Sequence, residues 1–490
     1  MSLSFDPDRL PLPNGHFIGD RLIPAEDGQP RLPMHRPSDG RAYADCPVAS
    51  ADLVDQAVAT AQAALKSSNW GGLRPRERTA VLQRWAALIE EEAETLAKVE
   101  ALSSTRPVGQ LVAGDVAVTA EQIRFFAEFA DKEGGDLVPT DDGSLGMVMT
   151  EPYGVVGAIT PWNFPLSMAG WKLAPALAAG NAVVLKPSEM TPFSTVLLAQ
   201  LAVKAGVPAG LINIVQGDGP TTGAAITRHP GIAKVSFTGS TAAGSAIMAD
   251  IARSGVKPMT LELGGKSPQI VFADADLDKA AAAIATSVLS NAGQACVAGS
   301  RLLVEAGAAG PLVERILGHM RAVRPSPTWD AETRYSPIIS ERQRARIHSI
   351  VSASLTGSVE CLTGGGPMDA EGYFYAPTLL AGVDQTSPAV VEEIFGPVLT
   401  VQSFDSEEEA MALADHPIYG LAAGLYTRDL SRALRLTRRL QAGTVWVNRY
   451  GRSRDHILPT GGYKRSGIGK DLGREAYLSN RRSKSVLIGL

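Results

Sequence analysis

A chain of 490 residues has room for two to four packed units, and 45% hydrophobic with 20% charged residues is an ordinary globular composition. Its 46 Lys and Arg against 51 Asp and Glu leave a net charge of -5, which over this length excludes an electrostatic footprint for nucleic acid. The opening lacks a basic stretch followed by an apolar one, and no run of about 18 apolar residues occurs, so the expectation is a soluble, cytoplasmic protein without a membrane segment.

After a Pro-rich opening, residues 51–68 and 76–102 carry apolar positions at helical spacing, for instance Val81, Trp85, Leu88, Leu96 and Val99, and predict two long amphipathic helices. From residue 154 the text switches to short β-rich runs, GVVGAIT, NAVVLKPS, LINIVQG, AKVSFTGS and PMTLELGG, most of them separated by helix-length segments. That rhythm predicts parallel strands with crossover helices, a doubly wound α/β sheet. A second round begins at SPQIVFADADLDK, with Asp276 as helix N-cap, and continues through TLLAGV, PVLTVQSF and GTVWVN. The terminal SKSVLIGL reads as a strand outside either unit that pairs with LGMVMT at 145–150, and an isolated pair needs another sheet to join. The basic runs at 431–440 and 481–485 read as solvated faces.

Several short stretches carry chemistry, each with an alternative structural reading. In SFTGSTAAG, Gly239 ends a strand and Gly244 opens a helix, a turn where a diphosphate could meet backbone N–H groups. The spacing is not GxGxxG, and Gly-rich strand-to-helix turns are common. VVLKPSE puts Lys186 and Glu189 three apart, suited to a ribose with its hydroxyls and equally to a solvated loop pair. A carboxylate at an adenosine ribose would repel a 2′-phosphate and favour NAD over NADP. LELGGKSP ends a strand on Glu262 between leucines, an environment that raises a carboxylic acid toward general-base use, or caps a turn. NAGQACVAGSR sets Cys296 among small residues. Cys46, Cys296 and Cys361 are odd in number with no CxxC spacing, so neither a disulfide framework nor a metal site is expected, and local composition alone makes Cys296 core filling.

TPWNFP, LKPSE, SFTGSTAAG, LELGGKSP, GQACVAGSR, EEIFGPV and GGYKRSGIG occur in the order and approximate spacing of the NAD(P)-dependent aldehyde dehydrogenase superfamily, which the chain resembles over nearly its whole length. The resemblance implies two doubly wound Rossmann-like α/β domains plus a small β oligomerisation extension. The NAD-binding domain would take 1–130 and 152–264, the catalytic domain 265–465, and the extension 131–151 and 466–490. It implies Cys296 as nucleophile, Glu262 as general base, Asn163 as oxyanion donor, and Lys172 in a proton relay.

For the cofactor NAD the resemblance implies Thr160, Pro161, Trp162, Lys186, Ser188, Glu189, Gly219, Gly223, Phe237, Thr238, Gly239, Ser240, Gly244 and Leu263, with Glu393 at the nicotinamide ribose and Phe395 beside the nicotinamide. Phe164, Met168 and Trp171 match substrate-tunnel positions, as do Phe125 and Phe126, although such stripes also build cores. The implied assembly is a homodimer or homotetramer acting on a small-molecule aldehyde.

The pattern breaks in four places, one of them Asn480, which replaces a frequent tyrosine before the terminal strand. Thr460 stands where an aromatic tunnel residue is frequent, and Asp471 where a longer glutamate is frequent. The loop RYGRSRDHIL carries Arg449, Arg452 and Arg454, which either grip an anionic end of the substrate or face solvent or a subunit. The expectation is therefore oxidation of an aldehyde, polar or carboxylated, to its acid with NAD. The alternatives are an NADP-preferring enzyme, and a binding or structural protein that keeps the fold without turnover.

Overall fold

The structure, a computed structural model, describes residues 3–24, 28–451 and 456–490; Arg452 and Arg454 lie outside the described residues. The five runs from residue 154 form the parallel strands Val155–Ile159, Ala182–Lys186, Ile212–Ile214, Lys234–Thr238 and Met259–Glu262. Ala182–Lys186, read AVVLK, is buried at every position, as a parallel strand covered by helices on both faces must be. In chain order the sheet runs 3-2-1-4-5, so the first strand, Val155–Ile159, lies between Ala182–Lys186 and Lys234–Thr238. Helices that follow strands one and four leave on opposite faces, and a crevice opens at the carboxyl ends of these two neighbours.

A second parallel sheet contains Pro268–Val271, Arg301–Glu305, Thr378–Ala381, Val398–Phe404, Ala422–Tyr426 and Thr444–Val447, closed at one edge by antiparallel Glu360–Thr363. Asp276 caps the helix Leu277–Leu289 by accepting from Lys279 N at 3.2 Å. The terminal strand Arg481–Gly489 pairs antiparallel with Ser144–Pro152, which carries Asp136–Val138 on its other side. Leu137, Met149 and Leu487 are exposed on this three-stranded sheet. The basic runs are matched locally: Arg432 and Arg435 pair with Glu407, Arg439 with Glu408, and Arg482 and Lys484 with Glu151. Among the described residues no helix is long and apolar enough to cross a membrane.

Two elements differ from expectation. The helix predicted over 76–102 is two, Pro75–Glu91 and Ala93–Ser103, broken at Glu92 (φ -96°, ψ 19°), which lets the second turn its apolar face onto the helix Phe193–Lys204. Gly467–Ile468, grouped by sequence with the terminal extension, instead adds an antiparallel edge to the first sheet at Leu261 and Glu262. The helix Gly473–Ser479 likewise joins the first core, through Leu472, Ala476 and Tyr477, the last stacked on Phe129 with centroids 5.7 Å apart. Of the segment 466–490, Arg481–Gly489 stands in the outlying sheet. Local text cannot show this, because a two-residue strand has no period of its own.

Candidate active site

Thr160–Trp162 follow the first strand and Gly239–Ser240 the fourth, and between these carboxyl ends and the second sheet lies a cavity of about 900 Å³. Pro161, Trp162, Asn163, Phe164, Met168, Thr238, Gly239, Ser240, Leu263, Cys296, Glu393 and Phe395 all line it. The motifs thus converge from segments up to 234 residues apart, between Pro161 and Phe395. Ser240 caps the helix Thr241–Ser254, its hydroxyl accepting from Ala243 N at 3.2 Å, so the positive end of that helix faces the crevice. Gly244 packs against Leu263, since a Cβ there would come within 2.6 Å of Leu263 Cδ2.

Cys296 sits half-buried in a turn that is braced on every side. Asn291 and Ala292 hold left-handed backbone (φ 51° and 49°), a strain that survives only where surroundings over-determine it. They do here. Buried Gln294 donates to Asn291 O and Pro337 O, both at 2.9 Å, and accepts from Ile339 N at 2.9 Å. Tyr450 donates to Val297 O at 2.6 Å, and a Cβ on Gly265 would stand 2.4 Å from Cys296 O. The Asn163 amide reaches the same turn, donating to Gln294 O at 3.0 Å, while Asn291 donates to Asn163 O at 2.9 Å. Thiol and amide donor are therefore held in one cross-linked unit.

Glu393 opens onto the cavity from the other side. Its carboxylate lies on Gly264 and Gly265, accepting from Gly265 N at 3.0 Å, and a Cβ on Gly264 would meet Glu393 Oε2 at 2.2 Å. Desolvation by these packed walls pushes the Glu393 carboxyl up to about 7, although buried Lys266 pulls the other way. Phe395, also left-handed at φ 54°, meets the Trp162 ring edge-on at 5.2 Å, and Gln343 donates to its carbonyl at 3.1 Å.

Glu262, buried at the end of its strand, does not line the cavity. Its Oε1 rests beside Gly461, where a Cβ would stand 2.8 Å away. Behind it Lys172 is ion-paired with Asp471 in a fully buried contact. The shorter arm of Asp471 is met by a backbone bridge to Thr460, with N···O distances of 2.7 and 2.9 Å.

Lys186, Ser188, Glu189 and Thr160 lie beyond the cavity's end. Lys186 donates to Pro187 O at 2.8 Å and Gly217 O at 2.6 Å, and stands 3.6 Å from Glu189, with burial lowering its ammonium pKa. Gly219, Gly223 and Phe237 line a second cavity of about 660 Å³ that continues along the same sheet edge. Most of the residues expected at the cofactor are thus divided between this cavity and the one at Cys296.

Three residues expected at the substrate do not line the cavity at Cys296. Trp171 lies buried on the helix Pro165–Ala178, beside Gln122 of the helix Ala117–Phe129, and does not line the cavity. Thr460 is bridged to Asp471 through its backbone, and Phe126 is fully in the core. Sequence reasoning missed Tyr450, Arg342, Gln343 and Arg346, which do line the cavity, and the bracing role of Gly265. The helix Glu341–Ser354 that carries three of them has an ordinary surface pattern.

The aldehyde dehydrogenase family model matches residues 23–486. The DhaS protein of Bacillus subtilis (strain 168) is 38% identical over 474 residues, covering 97% of this chain and 95% of that one. Among solved structures, the indole-3-acetaldehyde dehydrogenase AldA of P. syringae, in complex with NAD+ and IAA, superimposes with a TM-score of 0.95 at 38% identity, over 99% of this chain and 98% of that one. The gamma-glutamyl-gamma-aminobutyraldehyde dehydrogenase of Burkholderia cenocepacia J2315 does so with a TM-score of 0.95 at 41% identity, over the same shares.

Proposed function

The chain belongs to the aldehyde dehydrogenase family, and from that premise we propose that it oxidises an aldehyde to its carboxylic acid with NAD, through a covalent intermediate on Cys296. The observation that carries this reading is the shared mounting of Cys296 and Asn163 on one braced turn facing the cavity. A thiolate adds to the aldehyde carbonyl and makes it tetrahedral. The negative oxygen that results accepts from the Asn163 amide and the Cys296 N–H, and removing one such donor typically costs about 10² to 10³ in kcat. What bound NAD supplies is the acceptor for the hydride released as the hemithioacetal becomes a thioester.

The residues present fit that cofactor. Glu393, aimed into the cavity from its glycine cradle, is placed to accept from ribose hydroxyls, and the Ser240 helix end to face a diphosphate. Glu189, 3.6 Å from Lys186, would accept from the hydroxyls of the second ribose, which favours NAD over NADP. Glu262, directly or through water, takes the proton from the attacking thiol and later activates the water that hydrolyses the thioester. The buried Lys172–Asp471 pair would supply the route by which that proton leaves.

For the substrate, the presence of Arg452 and Arg454 in the sequence just after Gly451, which lines the cavity, supports a carboxylated aldehyde. A second reading rests on the wall around Cys296, where Phe164, Met168, Val297 and Tyr450 favour an aromatic aldehyde. The exposed apolar residues of the three-stranded sheet support a homodimer or homotetramer. NADH formation on aldehydes with and without a distal carboxylate, on wild type and Arg452→Ala and Arg454→Ala, decides between the substrates. A KM rise confined to carboxylated aldehydes upholds the first reading; uniform behaviour refutes it. Cys296→Ala should abolish NADH formation while still binding NAD, and retained turnover would refute the mechanism.

A further inference from the structure

Behind the Asn163 loop, away from the cavity, lies a buried cluster of charge. Glu100 is fully buried, and Arg106 and Asp115 nearly so; none lines the cavity. Arg106 grips Asp115 with two hydrogen bonds, at 2.8 and 3.3 Å, and Asp115 stands in a π-turn, Val112–Val116, a feature found frequently at functional sites. Two carboxylates thus face one guanidinium, an arrangement that is expensive to bury and needs a reason.

The reason is visible in what the cluster touches. The Arg106 guanidinium lies over the ring of Phe164, 4.8 Å from its centroid. Glu100 Oε2 accepts from Leu166 N at 3.0 Å, at the first turn of the helix Pro165–Ala178. Thr105, next to Arg106, donates to Asn291 Oδ1 at 2.6 Å, and Asn291 in turn donates to Asn163 O at 2.9 Å. One short segment, 100–106, therefore holds three points of the stretch 163–166: the carbonyl of Asn163, the ring of Phe164 and the amide of Leu166. Burial pushes the Glu100 carboxyl up from its ordinary value, with Asp115 adding to the shift and Arg106 opposing it.

We infer that Glu100 and Arg106 are positioning residues for the oxyanion donor, fixing the Asn163 amide relative to Cys296 from behind the loop. This rests on the reading of Asn163 as that donor. Without the clamp the loop keeps its fold but the amide shifts, and a misplacement of about 1 Å costs on the order of 10² in rate.

The test is a set of variants assayed for steady-state NADH formation at pH 7. Arg106→Met and Glu100→Leu should lower kcat about ten- to a hundredfold with KM for NAD unchanged. Glu100→Gln, which keeps an acceptor for Leu166 N, should restore most of what Glu100→Leu loses. In an Asn163→Ala background the same substitutions should lower kcat by no more than about twofold, because the group they position is gone. Equal losses in both backgrounds, or full kcat in Arg106→Met, would overturn the inference. Should those variants fail to fold, Thr105→Val, nearly isosteric, is read the same way. A wild type inactive on every aldehyde would instead refute the proposed function, and a wild type that is active with additive variants refutes only the clamp.

Discussion

Gly265→Ala is the sharpest test of the braced nucleophile. Its φ is not in the left-handed region, so alanine adds no backbone strain and acts only through its methyl group. That carbon would stand 2.4 Å from Cys296 O and 3.1 Å from Leu421 Cβ. Ordinary contact needs about 3.4 Å, so the Cys296 carbonyl must retreat by roughly 1 Å, with a strain of about 1–3 kcal/mol. The turn cannot absorb this locally, because Gln294, Tyr450 and Asn163 pin it at hydrogen-bond distance. A displacement of that size at the nucleophile predicts a fall in kcat of about 10². Stopped-flow measurement of the first NADH turnover reads the acylation step directly, and urea unfolding reads the stability loss. A Gly265→Ala enzyme with a wild-type burst rate would show that the turn yields freely, and the rigid-mount argument would fall.

Glu393 gives a pH prediction. Its folded pKa, about 7, lies above the ordinary carboxyl value, so the native state holds a proton that the unfolded chain has already released. The stability this group contributes is present below the unfolded value and is lost as pH rises through about 7. Glu393→Gln should therefore be more stable than wild type at pH 8 by about 1–3 kcal/mol and equal to it near pH 4.5, as read by urea midpoints. An advantage that grows toward acid would contradict the assignment. Glu189→Ser should raise the ratio of kcat/KM for NADP over NAD by about tenfold, the effect of removing roughly 1.4 kcal/mol of repulsion from a 2′-phosphate; an unchanged ratio would place cofactor choice elsewhere.

Much of the fold was legible because parallel strands buried on both faces announce themselves as short apolar runs, and AVVLK at 182–186 is one. Asp276 was legible as a cap for the same local reason. Gly467–Ile468 was not, since its partner is Leu261–Glu262, some 200 residues away. At the site, Cys296, Asn163, Glu393 and Phe395 were readable through their ordered motifs, and all four line the cavity. Thr460 and Trp171 do not line it, and a motif does not say which way a residue beside it faces.

By itself the sequence determined the family, the alternation of strand and helix, and the residue types that make thiol chemistry with a dinucleotide feasible. These are local or ordered along the chain, so they survive without coordinates. Only the tertiary structure decided which groups meet: Gly265 beneath Cys296, Glu262 turned to Gly461, Lys172 against Asp471, and Glu100 and Arg106 behind Asn163. Each of these joins residues far apart in sequence across a packed interior, where contact depends on the relative placement of whole elements and leaves no periodic trace in the text.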